Sequence, residues 1–177
     1  MKRVFIIHAW GGRSHVGWLL WLQQELKKKG FEAHGLNMPN TMNPTVAGWI
    51  GAIKKAVGTV DENTYFVGHS LGCISICKFL AQQHNKAGGV VLVAGFKELK
   101  VPELMEFGKD PIDFESLNKK IKHRVTVASD DDDMVPAKRT HDFAEALHAK
   151  EIIEHNQEHF TECAKLPVVL NELLKMK

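Results

Sequence analysis

One short motif in the chain has the residue types of a nucleophilic site. Residues 68–72 read GHSLG and so match the pattern G-x-S-x-G. A strand-like apolar run at residues 64–67 precedes the motif, and a helix-like run at residues 73–83 follows it. A serine at such a strand–turn–helix corner, the nucleophile elbow, presents its hydroxyl above the edge of the sheet. We therefore predict that Ser70 is the nucleophile of an acyl-transfer site and that the Leu71 N–H faces the oxyanion.

The two glycines of the motif have a steric explanation. A strand and a helix crowd together at this corner, and a glycine has no Cβ to collide there. A glycine-rich corner can also serve the fold alone, so the five residues are a weak signal by themselves. The prediction for Ser70 therefore depends on an acid and a base further along the chain.

The base is expected to follow the last strand, because the partners in this fold come in the order serine, acid, histidine. The last predicted strand covers residues 150–154, and two of the ten histidines, His155 and His159, come directly after it. His155 is too close to the end of the strand to reach far. His159 lies in the loop before the final helix and can reach over the sheet edge. We predict that His159 is the base.

The acid is expected after the predicted strand at residues 124–128, where four aspartates stand in a row at residues 130–133. Adjacent carboxylates repel one another. We therefore expect most of the four to face water and at most one or two to have a structural partner. Such a run also suits a solvated loop, the N-terminus of the following helix, or a divalent-cation site. The residues alone do not choose among the four carboxylates.

A second oxyanion donor is expected from the loop after the first strand, where residues 8–12 read HAWGG. The paired glycines allow a close approach of the backbone to a ligand. We predict the Trp10 N–H as this donor, with the Gly11 N–H as the alternative. The same loop also suits a glycine-rich turn without a chemical role.

The elements that position these residues alternate between strand-like and helix-like segments. This βαβ order, with continuous apolar strands, predicts an α/β fold with a mostly parallel sheet and helices on both faces. Ligands bind at the carboxyl ends of the strands in such sheets, and each residue assigned to catalysis follows a strand. Residues 96–118 contain two prolines and no clean period, so we expect them to cover part of the site. The predicted strands cover residues 4–7, 31–36, 64–67, 89–93, 124–128 and 150–154.

The size and composition of the chain narrow the class of protein. A length of 177 residues predicts one domain, residues 1–177. The formal net charge of +2 gives no reason to expect nucleic-acid binding, and no run is long enough to span a membrane.

The apolar stretch at residues 4–7 is too short for a signal peptide, so we expect a cytoplasmic protein. The three cysteines include no C-x-x-C pair, and we expect no metal and no cofactor.

These motifs together resemble the small single-domain serine hydrolases related to the retinoblastoma-binding serine hydrolase and the bacterial YdeN-type proteins. The resemblance covers nearly the full length and implies a compact α/β-hydrolase with little lid and a Ser-Asp-His triad. It places the acid four residues before Pro136, at Asp132, with Asp131 as the alternative. The motifs that carry it are the loop at 8–12, the segment GWLLW at 17–21, NMP at 37–39, the elbow at 68–72, DDxxVP ending at Pro136, and His159-Phe160.

The resemblance does not extend to a protein partner. The animal member carries an L-x-C-x-E partner motif, and the matching stretch here, residues 57–62, reads VGTVDE. Retinoblastoma-type binding is therefore not expected, and any protein partner is unknown. The function expected from the residues is hydrolysis of a small ester, thioester or amide through an acyl-enzyme. The alternatives are a protein-interaction module on a hydrolase scaffold and an acyltransferase with an acceptor other than water.

Overall fold

Six parallel strands form the central sheet of the computed structural model, which describes residues 1–98 and 101–176. Every pair of neighbouring strands is parallel, so the predicted mostly parallel sheet is confirmed. The strands run in the spatial order β2-β1-β3-β4-β5-β6. Their bounds are β1 Arg3–Ile7, β2 Glu32–Leu36, β3 Thr64–His69, β4 Ala87–Val93, β5 Ile121–Ser129 and β6 Lys150–Glu154.

Seven α-helices connect and cover these strands within the described residues. The sequence predicts helices at residues 15–29, 45–57, 73–83, 137–148 and 167–175, and the structure has a helix in each of these segments. The predicted irregular segment at 96–118 holds a 3₁₀ turn, Pro102–Leu104, and the short helices α4 and α5. The helices are α1 Gly17–Lys28, α2 Val46–Val57, α3 Leu71–Ala81, α4 Met105–Lys109, α5 Phe114–Asn118, α6 Ala137–Leu147 and α7 Pro167–Lys175.

Local sequence explains where the regular helices begin and which face they bury. The Thr45 side chain accepts a hydrogen bond from the Gly48 N–H at 3.1 Å and so caps the first turn of α2. Trp49, Ile53 and Val57 follow at helical spacing and are buried. Pro167 opens α7, because a proline fixes φ and lacks the N–H that the first turn leaves unpaired.

The core lies on both faces of the sheet. Every residue of β3 and β4 is buried, as expected for strands covered on both sides. On one side α1 packs against α7, and on the other α3 contacts both α2 and α5, while α5 contacts α6. Full burial of one large apolar side chain such as Phe66 contributes about 1.5–3 kcal/mol. The packing of α3 against β3 therefore gives the corner between them a rigid support.

Two further sequence expectations concern the cysteines and the membrane. Cys73 and Cys77 are buried in α3, and Cys163 is half-buried; all three are free thiols. Burial raises the pKa of the Cys77 thiol to about 12, so it stays protonated and inert. Within residues 1–98 and 101–176, the helices are too short or too polar to cross a bilayer.

Candidate active site

The serine corner has a backbone conformation that side-chain-bearing residues rarely adopt. Ser70 stands at the N-cap of α3 with φ +52° and ψ −113°. Such a conformation costs about 1–3 kcal/mol and persists only where the surroundings impose it. Here the Ser70 N–H donates to the Val93 carbonyl, and the Ser70 carbonyl accepts from the Cys73 N–H, both at 2.9 Å. The corner is thus held by β4 on one side and by the first turn of α3 on the other.

The glycines beside Ser70 are required by close contacts. A Cβ at Gly68 would lie 2.8 Å from the Cys73 nitrogen. A Cβ at Gly72 would lie 2.4 Å from the Ile7 carbonyl oxygen, at the end of β1. Neither separation is possible for real atoms, so the steric explanation of the G-x-S-x-G spacing agrees with the geometry. Helix α3 can begin at Leu71 directly after the serine because both flanking positions lack a side chain.

The residues predicted as acid and base, Asp132 and His159, form a buried hydrogen-bonded pair. The Asp132 Oδ2 lies 2.8 Å from the His159 Nδ1, and both side chains are buried. The other carboxylate oxygen of Asp132 accepts the N–H groups of Met134 and Val135 at 2.9 and 2.8 Å. A carboxylate only accepts hydrogen bonds, so Nδ1 of a neutral His159 carries the proton and Nε2 has a free lone pair. Of the two candidate acids, Asp132 is hydrogen-bonded to the His159 ring, whereas Asp131 is hydrogen-bonded to the Ser129 hydroxyl and the Glu158 N–H.

As expected, most of the four aspartates are exposed, namely Asp130, Asp131 and Asp133, but more of the run has structural partners than the expected one or two. Asp130 Oδ2 lies 2.5 Å from His155 Nδ1, and Asp131 Oδ1 accepts both the Ser129 hydroxyl at 2.6 Å and the Glu158 N–H at 2.8 Å. These hydrogen bonds lower the pKa of both carboxyl groups. Together with Asp132, three consecutive carboxylates therefore hold the loop that carries the base. Repulsion between the three carboxylates is offset because each carboxylate accepts hydrogen bonds from its own donors.

The loop that these aspartates hold is itself unusual in its backbone. Asn156, Glu158 and Phe160 all have positive φ angles, of +55°, +48° and +60°. Residues other than glycine adopt such angles at a cost and mostly singly. The hydrogen bonds from the aspartates, together with the burial of Phe160, supply the support that this conformation needs. His159 is thus presented from a loop with little freedom to move.

Ser70 and His159 line the same cavity, which has a volume of about 160 Å³. The cavity lies where β1, β3, β4, β5 and β6 end, as the rule for parallel sheets predicts. Residues from the irregular segment, Phe96 and Leu104 among them, cover one side of it. Phe160, the residue after His159, lines a neighbouring cavity. The other residues around Ser70 and His159 are Ala9, Trp10, Val101, Met134, Val135, Arg139 and Thr161.

The loop after β1 offers one of its two candidate N–H donors. The Gly11 N–H donates to the Thr41 carbonyl at 3.0 Å and is therefore occupied. The position of the Trp10 side chain is also fixed, because its Nε1–H donates to the Met42 carbonyl at 3.1 Å. Among the described residues, the backbone N–H groups of Trp10 and Leu71 have no protein acceptor. The Leu71 N–H also opens α3, where the helix dipole favours negative charge.

Sequence reasoning missed one histidine of the site, His69. A histidine directly beside the serine does not suit the position of the base, yet the His69 Nε2–H donates to the His159 carbonyl at 2.8 Å. The two imidazole rings lie 5.1 Å apart, and Trp18 packs edge-on against the other side of His69. Burial lowers the pKa of His69 to about 3, so the ring stays neutral. The signal available in the sequence was its place inside the elbow motif, directly before Ser70.

A second neutral histidine orders the loop after β1. His8 Nδ1–H donates to the Ala9 carbonyl at 2.7 Å, and Nε2 accepts the Met38 N–H at 3.0 Å. Burial lowers its pKa. Beside it, the Asn37 Oδ1 accepts both the N–H and the hydroxyl of Ser14, at 3.1 and 2.9 Å. These contacts give the NMP segment at 37–39 a structural role, since they fix the loop that carries Trp10.

Comparisons with known proteins agree with this arrangement of residues. Residues 4–166 match the model of a protein family described as serine hydrolases. This chain belongs to the serine hydrolase family. It is 36% identical over 179 residues to the YdeN protein of Bacillus subtilis (strain 168), covering 97% of this chain and 94% of YdeN. Membership of the family supports a hydrolase function.

Solved structures establish the fold class. The crystal structure of YdeN matches 99% of this chain with a TM-score of 0.93 and 34% sequence identity, and 98% of YdeN is covered. Est1E from Butyrivibrio proteoclasticus, solved with ferulic acid bound, matches with a TM-score of 0.79 at 15% identity, over 99% of this chain and 89% of Est1E. Esterase PE8 matches with a TM-score of 0.71 at 16% identity, over 99% and 93% of the two chains. The predicted α/β-hydrolase fold is therefore confirmed.

Proposed function

We propose that this serine hydrolase cleaves a small carboxylic ester through an acyl-enzyme formed on Ser70. One observation carries the proposal. The serine of a strained elbow lines a cavity together with His159, whose Nδ1 is hydrogen-bonded to the buried Asp132. A serine that shares a site with an acid-bound histidine can act as the nucleophile, with the histidine as base and the acid as orienting group.

The reaction follows from the roles of these atoms. The Ser70 Oγ attacks the ester carbonyl carbon while His159 Nε2 takes the hydroxyl proton. The N–H groups of Leu71 and Trp10 stabilise the oxyanion, and loss of one such donor typically costs about 100- to 1,000-fold in turnover. The tetrahedral intermediate then breaks its bond to the leaving alcohol, which receives the proton from His159. Water repeats the sequence on the acyl-enzyme and releases the carboxylic acid and Ser70.

The shape of the cavity supports a small substrate. Its volume of about 160 Å³ lies below the roughly 300–1,000 Å³ of typical ligand pockets. Its walls are mostly apolar, which suits a short hydrocarbon portion. A small ester is preferred over a peptide substrate, because a cavity of this volume does not accommodate several residues of a polypeptide.

Labelling with a fluorophosphonate probe, read by intact mass, tests the proposal directly. We expect one adduct on the wild type and none on Ser70→Ala or His159→Ala. Ser75→Ala is a matched control, because Ser75 is a buried serine of the same helix whose hydroxyl donates to the Leu71 carbonyl at 2.9 Å. It is expected to label like the wild type.

Two results would contradict the proposal. A folded wild type that takes up no adduct would favour a binding role for the scaffold. An adduct that persists on Ser70→Ala would place the nucleophile elsewhere. With p-nitrophenyl esters, we expect kcat/KM to fall once the acyl chain outgrows the cavity, and release of an ester from an added alcohol would instead indicate acyl transfer.

A further inference from the structure

One residue of the Ser70 cavity has no part in the proposed reaction, although it carries a permanent charge. Arg139 lies in the first turn of α6 and lines the cavity with its side chain half-buried. Among the described lining residues, it is the one with a fixed formal charge; the others are apolar or neutral side chains and the titratable His159. The cavity therefore has one permanently charged residue in a mostly apolar wall, and the same residue also borders a neighbouring polar cavity with Glu98 and Asp142.

The guanidinium is held in position by the segment that covers the cavity. Its Cζ lies 5.0 Å from the centroid of the Phe96 ring, and an Nη2–H donates to the backbone carbonyl of Glu98. The Arg139 N–H donates to the Pro136 carbonyl at 2.7 Å, which fixes the start of the helix. A cation stacked on an aromatic ring in this way is pre-organised, so less entropy is lost when it binds a ligand.

The charge of Arg139 is not matched by a carboxylate. Asp142, one turn further along α6, pairs instead with Lys138 at 3.0 Å. In the part of the chain that the structure describes, no carboxylate oxygen lies within 4.0 Å of the Arg139 guanidinium. A guanidinium has five N–H donors, and the one contact with Glu98 leaves most of them available.

We propose that Arg139 selects substrates that carry a carboxylate, separated from the ester by a short apolar spacer. The inference rests on the proposed function, because it names the substrate class of the same site. The spacer would lie along the apolar wall, and the carboxylate would bind the guanidinium in the forked geometry that this pair favours. The ion pair gains strength because the cavity excludes much of the surrounding water.

Matched pairs of substrates that differ only in charge test the inference. On the acyl side, the pair is the monomethyl ester of glutaric acid and methyl pentanoate. On the alcohol side, it is the acetate ester of 4-hydroxybutanoic acid and butyl acetate, and both pairs are followed by pH-stat titration. We expect the wild type to prefer the anionic member of one pair in kcat/KM. The pair that shows the preference identifies which part of the ester carries the carboxylate.

Substitution of the arginine is expected to remove that preference. Arg139→Gln should lower kcat/KM for the preferred anionic ester by about 10- to 100-fold, and leave the neutral ester within about twofold. Lys138→Gln is the matched control: it removes one positive charge from the neighbouring, exposed position of α6, which does not line the cavity. It is expected to keep the wild-type ratio.

The outcomes separate this inference from the proposed function. An equal loss for the charged and neutral esters would mean that Arg139 only supports Phe96 and its segment, and would overturn the inference. An absent preference in a wild type that is labelled at Ser70 would also overturn it while leaving the hydrolase function intact. Loss of labelling and of all ester turnover would overturn the proposed function itself, and the inference with it.

Discussion

The serine corner and the loop that carries the base both contain strained backbone, but they are held by different means. At the corner, Ser70 has a positive φ because two glycines let β3 and α3 pack closely around it. In the loop, three non-glycine residues have positive φ, and carboxylates from another part of the chain hold them. The proposed nucleophile is thus positioned by its neighbours in the sequence, whereas the proposed base depends on partners more than 20 positions away.

His69 connects the two regions. It belongs to β3 and adjoins Ser70, yet its ring donates to the backbone carbonyl of His159. The neutral form of His69 donates this hydrogen bond through Nε2–H, which fixes the tautomer. His159, the proposed base, is therefore held by Asp132 through its side chain and by His69 of the elbow through its backbone.

The largest expected effect comes from removing the charge of the acid. Asp132→Asn leaves the shape of the side chain but no longer stabilises a charged His159, so we expect kcat to fall by about 10⁴-fold. Asp131→Asn should cost about tenfold or less, because that carboxylate holds only Ser129 and the loop backbone. Ester turnover and thermal unfolding of both variants check this. A greater loss of activity in Asp131→Asn would show that the acid is assigned wrongly.

An intermediate effect is expected on the pH dependence of stability through His69. Its pKa is about 3 in the folded protein against an ordinary value of 6.5, so the unfolded chain binds the extra proton between these values. The free energy of unfolding should therefore fall as pH falls below 6.5, with about 1.4 kcal/mol per pH unit arising from one such group.

Urea unfolding at pH 7, 6 and 5 measures this slope. As the pH falls, His69→Phe should lose less stability than the wild type. Part of the pH dependence should remain in the variant, because the pKa of His8 is also lowered. The variant should be less stable at pH 7, because the buried carbonyl of His159 loses its donor. Equal slopes in the two proteins would mean that His69 is not held neutral by burial.

The smallest expected effect tests the strain at the corner. Ser70→Gly and Ser70→Ala should both be inactive, but the glycine variant should be more stable by about 1 kcal/mol, because glycine adopts a positive φ without strain. Ser75→Gly serves as the control, since a glycine inside α3 is expected to lose about 1 kcal/mol relative to alanine. Denaturant unfolding measures the free energy of unfolding of these variants. A Ser70→Gly variant less stable than Ser70→Ala would argue against a strained elbow.

Much of the fold was predictable because its signals are local. Strand-like runs of about four to six residues mark the strands, and the helix periods between them give the parallel order. Element ends were less accurate: α3 begins at Leu71 rather than at residue 73, and β5 begins at Ile121 rather than at residue 124. At the start of α3 and at the start of β5, tertiary contacts of the backbone extend the element beyond its apolar run.

The hydrogen-bond partners of the aspartates at residues 130–133 could not be predicted from the sequence. Repulsion between neighbouring carboxylates was a sound principle, yet the donors that offset it come from a loop 25 to 27 residues further along the chain. The parallel register of β5 and β6 pairs Ser129 with Glu154, so the two following loops run side by side. The same register brings Asp130 to His155 and Asp132 to His159.

The sequence by itself determined the α/β order of elements, the elbow and its serine, and the histidine that follows the last strand. These depend on periodicity, on glycine at tight corners and on chain order, all of which are readable along the chain. Only the tertiary structure decided which aspartate touches His159, that His69 supports it, and that Arg139 faces the cavity. Those relations depend on strand register and on packing between distant segments, which place atoms side by side that sequence spacing keeps apart.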